Sequence, residues 1–388
     1  MSYYVRVGDV PRKRHTWFRS EGGGRLHEEL MGEEGFSGAS SLLYHLRSPS
    51  AITAVESFSV PRAALSPNDP LAPWHVRASK LAPGGDPVLG RHVLLGNEDV
   101  TICWVEASAS SGLYRNAAGD ELVYVQSGEA VLESVFGSLK VGAGDYVSIP
   151  ASTTHRWVLP DGGGLGALVL EAAGHVVIPA RYRTPTGQLK EGAPFCERDL
   201  RPPEGPLVVA EGHSVPVLLR TRQGWARHVQ ATHPFDVVGW DGCAYPFAFS
   251  IRDFEPIVGR IHQPPPVHQT FAGHGFVVCS FVPRLFDFDP GAVKVPYHHA
   301  NVDSDEVLFY SDGDFMSRRG SGISIGSMTL HPAGFVHGPQ PGSVEASVDQ
   351  ARTDETAVMV DTFSPLSVSA DARSVADPDY PWSWAQPL

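Results

Sequence analysis

The chain has 388 residues, 40 of them glycine and 33 proline, with a formal net charge of −13. That length allows two domains of ordinary size, and the acidic balance without a long basic run excludes nucleic acid or an anionic membrane surface as the natural partner. Four widely separated cysteines (Cys103, Cys196, Cys243, Cys279) form no Cys-x-x-Cys pair, so neither a disulfide framework nor a zinc knot is expected and reduced thiols in a cytoplasm fit better. The first residues carry no apolar leader core, and no run approaches membrane-spanning length.

In chain order, residues 1–60 are rich in glycine and charge and read as a wrapping segment of irregular structure and short strands. A first barrel is expected over 61–205. Its strands are the apolar or alternating runs at 93–95, 100–105, 121–126 and 167–172, a hairpin over 131–141 turning at Gly137-Ser138, and a continuation at 175–178. The Pro-, Arg- and Gly-rich stretch 179–206 is the connection. A second barrel is expected over 206–388, with strands resuming at 207–209, 215–219 and 235–240. Helical periodicity is scarce, so the chain reads as all-β. The aromatic, proline-locked tail around Trp382 and Trp384 is expected to dock on a surface.

The chemistry is concentrated in His299-Ala-Asn301-Val-Asp-Ser-Asp-Glu306, followed by Gly326 through Pro332 to His337. Two imidazoles and one carboxylate in this order build a facial triad that leaves metal positions open, the signature of non-haem Fe(II) oxygen chemistry. His299 and Glu306 are an odd number of residues apart, so a plain strand would point them to opposite faces. A turn favoured by Asn301, Asp303 and Asp305 must intervene. Gly313 ends the strand after Glu306, and the stretch from Gly326 to Pro332 reads as a turn feeding a strand before His337. His298 and Asp305 are rival ligands by position. His331, six residues before His337, has the wrong spacing for a ligand and is expected in the pocket or supporting it.

The same spacing occurs earlier. Tyr114-Arg-Asn116-Ala-Ala-Gly-Asp-Glu121 with Gly128 overlays His299 through Glu306 with Gly313, and Gly144 through Pro150 to His155 overlays Gly326 through Pro332 to His337. Such self-similarity implies two barrels. The first copy has Tyr114 in place of a histidine, so it keeps two ligands of three and is expected to bind no metal.

These intervals resemble the two signature motifs of the cupin barrel, with Asn301 in place of a usual second histidine. Tyr297-His298-His299-Ala-Asn301, Leu330-His331-Pro with His337-Gly338-Pro339, Phe235 through Trp240 and the region at Phe36 resemble the homogentisate 1,2-dioxygenase family through most of the chain. The resemblance implies a bicupin, two double-stranded β-helix barrels, with Fe(II) in the C-terminal one held by His299, Glu306 and His337. It implies cleavage of homogentisate by O₂ to maleylacetoacetate in tyrosine and phenylalanine catabolism. It also implies an acid/base role for His262, substrate contacts from Tyr297, Phe315, Arg318 and His331, and a homo-oligomer (trimer or hexamer). His233, His268 and His274 stay open as alternatives for the base.

Two departures are visible. Four residues, rather than the family's three, separate Asn301 from Glu306. Phe315 and Arg318 stand where a substrate-contacting tyrosine and a lysine are expected. A pocket that has lost a phenol can accept a different quinol, such as gentisate or a substituted hydroquinone. A bicupin that binds or stores without turnover is the reading from another class.

Overall fold

A computed structural model describes residues 3–209, 212–318 and 320–385; the outermost residues of the expected wrap and tail, 1–2 and 386–388, lie outside the described residues. The expected all-β fold of the cupin kind is what forms, with two five-residue α-helices and eight short 3-10 segments among the described residues.

The two motif copies sit in sheets of identical strand order. In the first, Asp145–Ile149, Glu121–Ser134, Leu165–Ala172, Val100–Ala107 and His92–Gly96 lie side by side, all antiparallel. In the second the order is Ser327–His331, Asp305–Asp312, Thr356–Thr362, Phe276–Phe281 and Gln269–Gly273. The glycines after the motif carboxylates mark the same close approach. A Cβ on Gly128 (φ +79) would lie 1.9 Å from the Gly164 carbonyl oxygen, and one on Gly313 (φ +92) would lie 2.0 Å from that of Asp354.

Each array is extended by a strand that precedes the other copy. Phe247–Ser250 pairs with Asp145–Ile149, and Trp74–Arg77 pairs with Ser327–His331. Strands His213–Thr221 and Gly224–Thr232 likewise attach to the first copy through Tyr114–Asn116 and Ile52–Ser57. Hydrogen bonding therefore crosses the expected 205/206 boundary in both directions. The arrays meet at an aromatic layer, with Trp104 and Phe309 ring centroids 5.5 Å apart and Tyr146 and Phe271 5.3 Å apart. The Tyr124 hydroxyl meets Ser311 Oγ at 2.6 Å within this layer. Large buried rings of this kind supply most of the burial energy of such an interface.

Local expectations were revised by tertiary contacts. The hairpin over 131–141 turns at Val135-Phe136, because Ser134 pairs with Gly137. Gly137 is needed for a different reason: a Cβ there would meet the Glu204 carbonyl oxygen at 2.3 Å. Residues 175–178 contribute one isolated bridge, Val177 to Ala272, rather than a strand, and 207–209 are unpaired with any sheet. The strand near His337 is Ser327–His331, which precedes Pro332; a residue without an N–H cannot continue the ladder. The tail docks through Tyr380, 1% exposed, and through Trp384, whose Nε1 donates to the Gly338 carbonyl at 3.1 Å, while Trp382 stays exposed.

The wrapping segment forms a four-stranded sheet in the order Val5–Gly8, Val237–Gly242, Ser40–His45, His27–Gly32. Its anchor is His45, 3% exposed, with Nδ1 2.7 Å from Asp236 and Nε2 3.0 Å from Glu29. Burial alone would lower the His45 pKa, but the two carboxylates outweigh it and raise it to about 9. A raised folded-state pKa stabilises fully below the unfolded value of about 6.5, and that contribution fades as pH rises through about 9. Wild type is therefore expected to lose stability between pH 7 and pH 9.5, by an amount on the order of 3 kcal/mol at most, relative to a His45→Gln variant. Denaturant unfolding of both proteins at the two pH values measures this; parallel pH profiles would rule it out.

Candidate metal centre

Glu306, 5% exposed, is the second residue of its strand, and the chain before it turns through 301–304, so the ladder begins only at Asp305. That irregular turn returns His299 to the same face. His299 and His337 form an antiparallel bridge, with backbone N–H to O distances of 2.8 and 2.9 Å. Tyr114 and His155 are likewise antiparallel partners in the first copy, the register the overlay requires.

The donor atoms of His299, Glu306 and His337 all lie within 4.8 Å of one another. His337 Nε2 is 3.1 Å from Glu306 Oε1, and His299 Nε2 is 3.6 Å from Oε2. Both imidazoles spend Nδ1 on a carbonyl two residues back, Tyr297 for His299 and Phe335 for His337, each at 3.1 Å. A carbonyl can only accept, so Nδ1 carries the proton, and each Nε2 faces an anionic carboxylate, donating to it when the ring is protonated and presenting a lone pair when the ring is neutral. With both rings neutral, that arrangement calls for a cation between the three groups, and two imidazole nitrogens with one carboxylate suit a divalent transition metal. Burial alone would raise the Glu306 pKa, but hydrogen bonds from His299, His331 and His337 hold it well below the usual carboxylate range. The Glu306 hydrogen bond in turn raises that of His299.

The rivals are elsewhere. Asp305 accepts from the Ala333 N–H at Oδ1 (2.8 Å) and from the Leu366 N–H at Oδ2 (2.7 Å). Its counterpart Asp120 does the same for Ala151 and Val176, both at 2.8 Å. This carboxylate is a brace in both copies. His298 is exposed and outside the cluster.

In the first copy a guanidinium takes the cation's part. Arg91 reaches both oxygens of Glu121 (3.0 and 2.8 Å) and also Glu171 (2.7 Å), while Tyr114 Oη and Asn116 Nδ2 donate to Glu121 Oε1. His155 keeps the bond from Nδ1 to the carbonyl two residues back, at 3.0 Å, and its buried Nε2 has no partner. Nothing in the spacing announced Arg91, which lies 30 residues before Glu121 in the chain.

A cavity of ≈ 400 Å³ opens beside the triad, reaching His299 and Glu306. Tyr297 and His262 stand on its wall, their rings 5.1 Å apart, and the His262 side chain is about half exposed with Nδ1 3.4 Å from Asp287 Oδ2. Arg318 also lines it but is largely committed, donating to Tyr310 Oη (3.0 Å) and the Gly338 carbonyl (2.6 Å). Two expected contacts fall outside the cavity lining. Phe315 packs edge-on against Tyr310 at 5.0 Å in a small apolar cluster with Leu308 and Ala357. His331 is fully buried behind Glu306, because strand pairing sets it directly opposite that residue.

Among the alternative bases, His268 lines the cavity, but burial, helped by Arg284, pushes its pKa down to about 3. His233 sits by the His45 anchor, and His274 is an exposed neighbour of Asp99. Sequence reasoning missed Arg284, Lys294 and Asp361, all on the cavity wall. Asp361 is cross-strand from Glu306 as Glu171 is from Glu121, so carrying the repeat one strand further would have found it. Burial, then the Glu306 charge, raises its pKa to about 7.

The profile described as Homogentisate 1,2-dioxygenase N-terminal matches residues 94–251. A protein of Saccharolobus solfataricus, provisionally named a dioxygenase, is 42% identical over 99% of both chains. Homogentisate 1,2-dioxygenase of Bradyrhizobium diazoefficiens is 26% identical over 70% of this chain, which spans 62% of that enzyme's length. A cupin 2 conserved barrel domain protein from Leptotrichia buccalis aligns with 79% of the chain at 9% identity and a TM-score of 0.33, a likeness that adds nothing to the strand order itself.

Proposed function

Because the chain belongs to the homogentisate 1,2-dioxygenase family, we propose that it is a non-haem Fe(II) dioxygenase that opens the ring of a 1,4-dihydroxybenzene, with homogentisate as substrate and maleylacetoacetate as product. The observation that carries the reading is the convergence of two Nε2 atoms and a carboxylate at the base of a cavity large enough for one substituted ring. His299, Glu306 and His337 would hold the metal, which when bound supplies open positions and electron exchange between quinol and O₂. The reaction takes both oxygen atoms into the product, so no further reductant is required.

The chain's own groups account for the rest. Asp287 faces His262 Nδ1, which fixes the tautomer and leaves Nε2 to take the phenolic proton and return it during ring opening. Arg284, Lys294 and Arg318 put positive charge on the wall, which suits the acetate of homogentisate. Tyr297 flanks the ring between His262 and His299, with its centroid 6.2 Å from that of His299. By family likeness we also propose a place in tyrosine and phenylalanine catabolism, a cytoplasmic setting and a homo-oligomeric assembly. No helix among the described residues is long and apolar enough to cross a membrane.

A second quinol remains a specific alternative, because the named homogentisate enzymes are only about one-quarter identical to this chain. Phe315 no longer argues for it, being packed away from the cavity. Anaerobic loading with Fe(II), addition of homogentisate, gentisate or unsubstituted hydroquinone, then O₂, with products identified by mass, tests both. Homogentisate is expected to gain two oxygen atoms with the highest kcat/KM. Selective cleavage of the acetate-free quinol would remove homogentisate from the reading. Stoichiometric iron with no O₂ uptake on any quinol would favour a binding protein instead.

A further inference from the structure

We propose that His331, held from behind by Tyr380 of the C-terminal segment, fixes the orientation of the Glu306 carboxylate between the two imidazoles of the metal site. The inference rests on the metal-site reading above and adds a positioning residue to it.

Glu306 Oε1 accepts from His331 Nδ1 at 2.9 Å, and His331 Nε2 meets Tyr380 Oη at 2.8 Å. A carboxylate only accepts, so Nδ1 is the donor, Nε2 is the acceptor and the tyrosine hydroxyl donates to it. His331 and Tyr380 are 0% and 1% exposed, so no water competes for either bond. The imidazole is also held by stacking on the His337 ring at 4.0 Å and by the edge of Trp384 at 6.1 Å. Oε1 also faces His337 Nε2 at 3.1 Å, while Oε2 lies 3.6 Å from His299 Nε2, so the His331 bond sets the carboxylate between the two imidazoles.

The first copy is an internal control. The residue opposite Glu121 is Ile149, where Glu306 faces His331. There Arg91 occupies both carboxylate oxygens, and a third donor and a fourth crowd Oε1. The copy with three metal-type donors is therefore the copy whose carboxylate is held by a histidine and not by a guanidinium. A carboxylate whose orientation is fixed would present a metal with a constant donor, which is what outer hydrogen-bonding partners of ligating carboxylates supply.

The test uses the full-length protein with Co(II) as the probe, reading both its Kd by competition with a chelator and its ligand-field absorption. His331→Ile, which installs the first copy's residue, is expected to weaken Co(II) binding by roughly 10- to 100-fold and to change the absorption envelope. His331→Asn keeps an N–H near the place of Nδ1 and should recover most of both. Tyr380→Phe removes only a hydroxyl and should fall between, so the idea stays testable even if the isoleucine variant fails to fold. Wild-type affinity and spectrum in both His331→Ile and Tyr380→Phe would overturn the proposal, as would an asparagine variant as impaired as the isoleucine one. Wild type that binds no Co(II) at all would instead overturn the metal-site reading beneath it.

Discussion

His299→Ala, His337→Ala and Glu306→Gln will each leave the protein without bound metal after Fe(II) loading and desalting, whereas His155→Ala and Asp305→Asn will retain it. The contrast follows from who faces whom. The first three residues supply the only cluster of three metal-type donors among the described residues, and losing one leaves two, too few to hold a divalent ion against water. Metal content is expected to drop below about a tenth of an ion per chain, well beyond the loss caused by a supporting residue. His155 instead belongs to a site already neutralised by Arg91, so its removal costs packing rather than metal. Asp305 spends both oxygens on backbone N–H groups, so Asp305→Asn should lower stability and leave metal content intact. Equal metal loss in the His155 variant would overturn the assignment of a metal-free first copy, and an empty Asp305 variant would shift the carboxylate ligand by one residue.

Arg91→Met will destabilise the protein by about 3–5 kcal/mol without removing its metal. Arg91 is 6% exposed on its side chain and joins Glu121 (1%) to Glu171 (9%). Burial alone would raise the Glu121 pKa, but Arg91 holds it down to about 2, so the carboxylate is charged at neutral pH. Methionine fills a similar volume but leaves that charge buried without its counter-ion, which is the costly way to break such a pair. Arg220 still covers Glu171, so the exposed deficit is at Glu121. The double variant Arg91→Met/Glu121→Gln, which deletes the stranded charge, should recover much of the loss. Urea unfolding of the three proteins measures this directly. A loss under about 1 kcal/mol in the single variant would mean that the guanidinium behaves as a surface ion pair and not as the first copy's internal cation.

The residues alone determined the all-β class, the repeat and the three donors, because each leaves a local trace. The positive-φ glycines Gly128 and Gly313 stand a fixed distance after a carboxylate, and the spacing of the three donors is short in sequence. Strand termini such as Gly313 after Asp312 were legible for the same reason. What depended on distant partners was not. Arg91 in the first carboxylate site, the reciprocal strands Trp74–Arg77 and Phe247–Ser250, and the cap of Tyr380 on His331 all arise from pairings across long stretches of chain. The hairpin at Val135-Phe136 was misread because Gly137 answers to the Glu204 carbonyl and not to its own turn. Phe315 and His331 illustrate the limit at the site itself. Their positions in the chain are near those of pocket residues, but His331 is turned behind Glu306 by strand pairing and Phe315, in the loop after that strand, packs on Tyr310, and only the folded chain decides either.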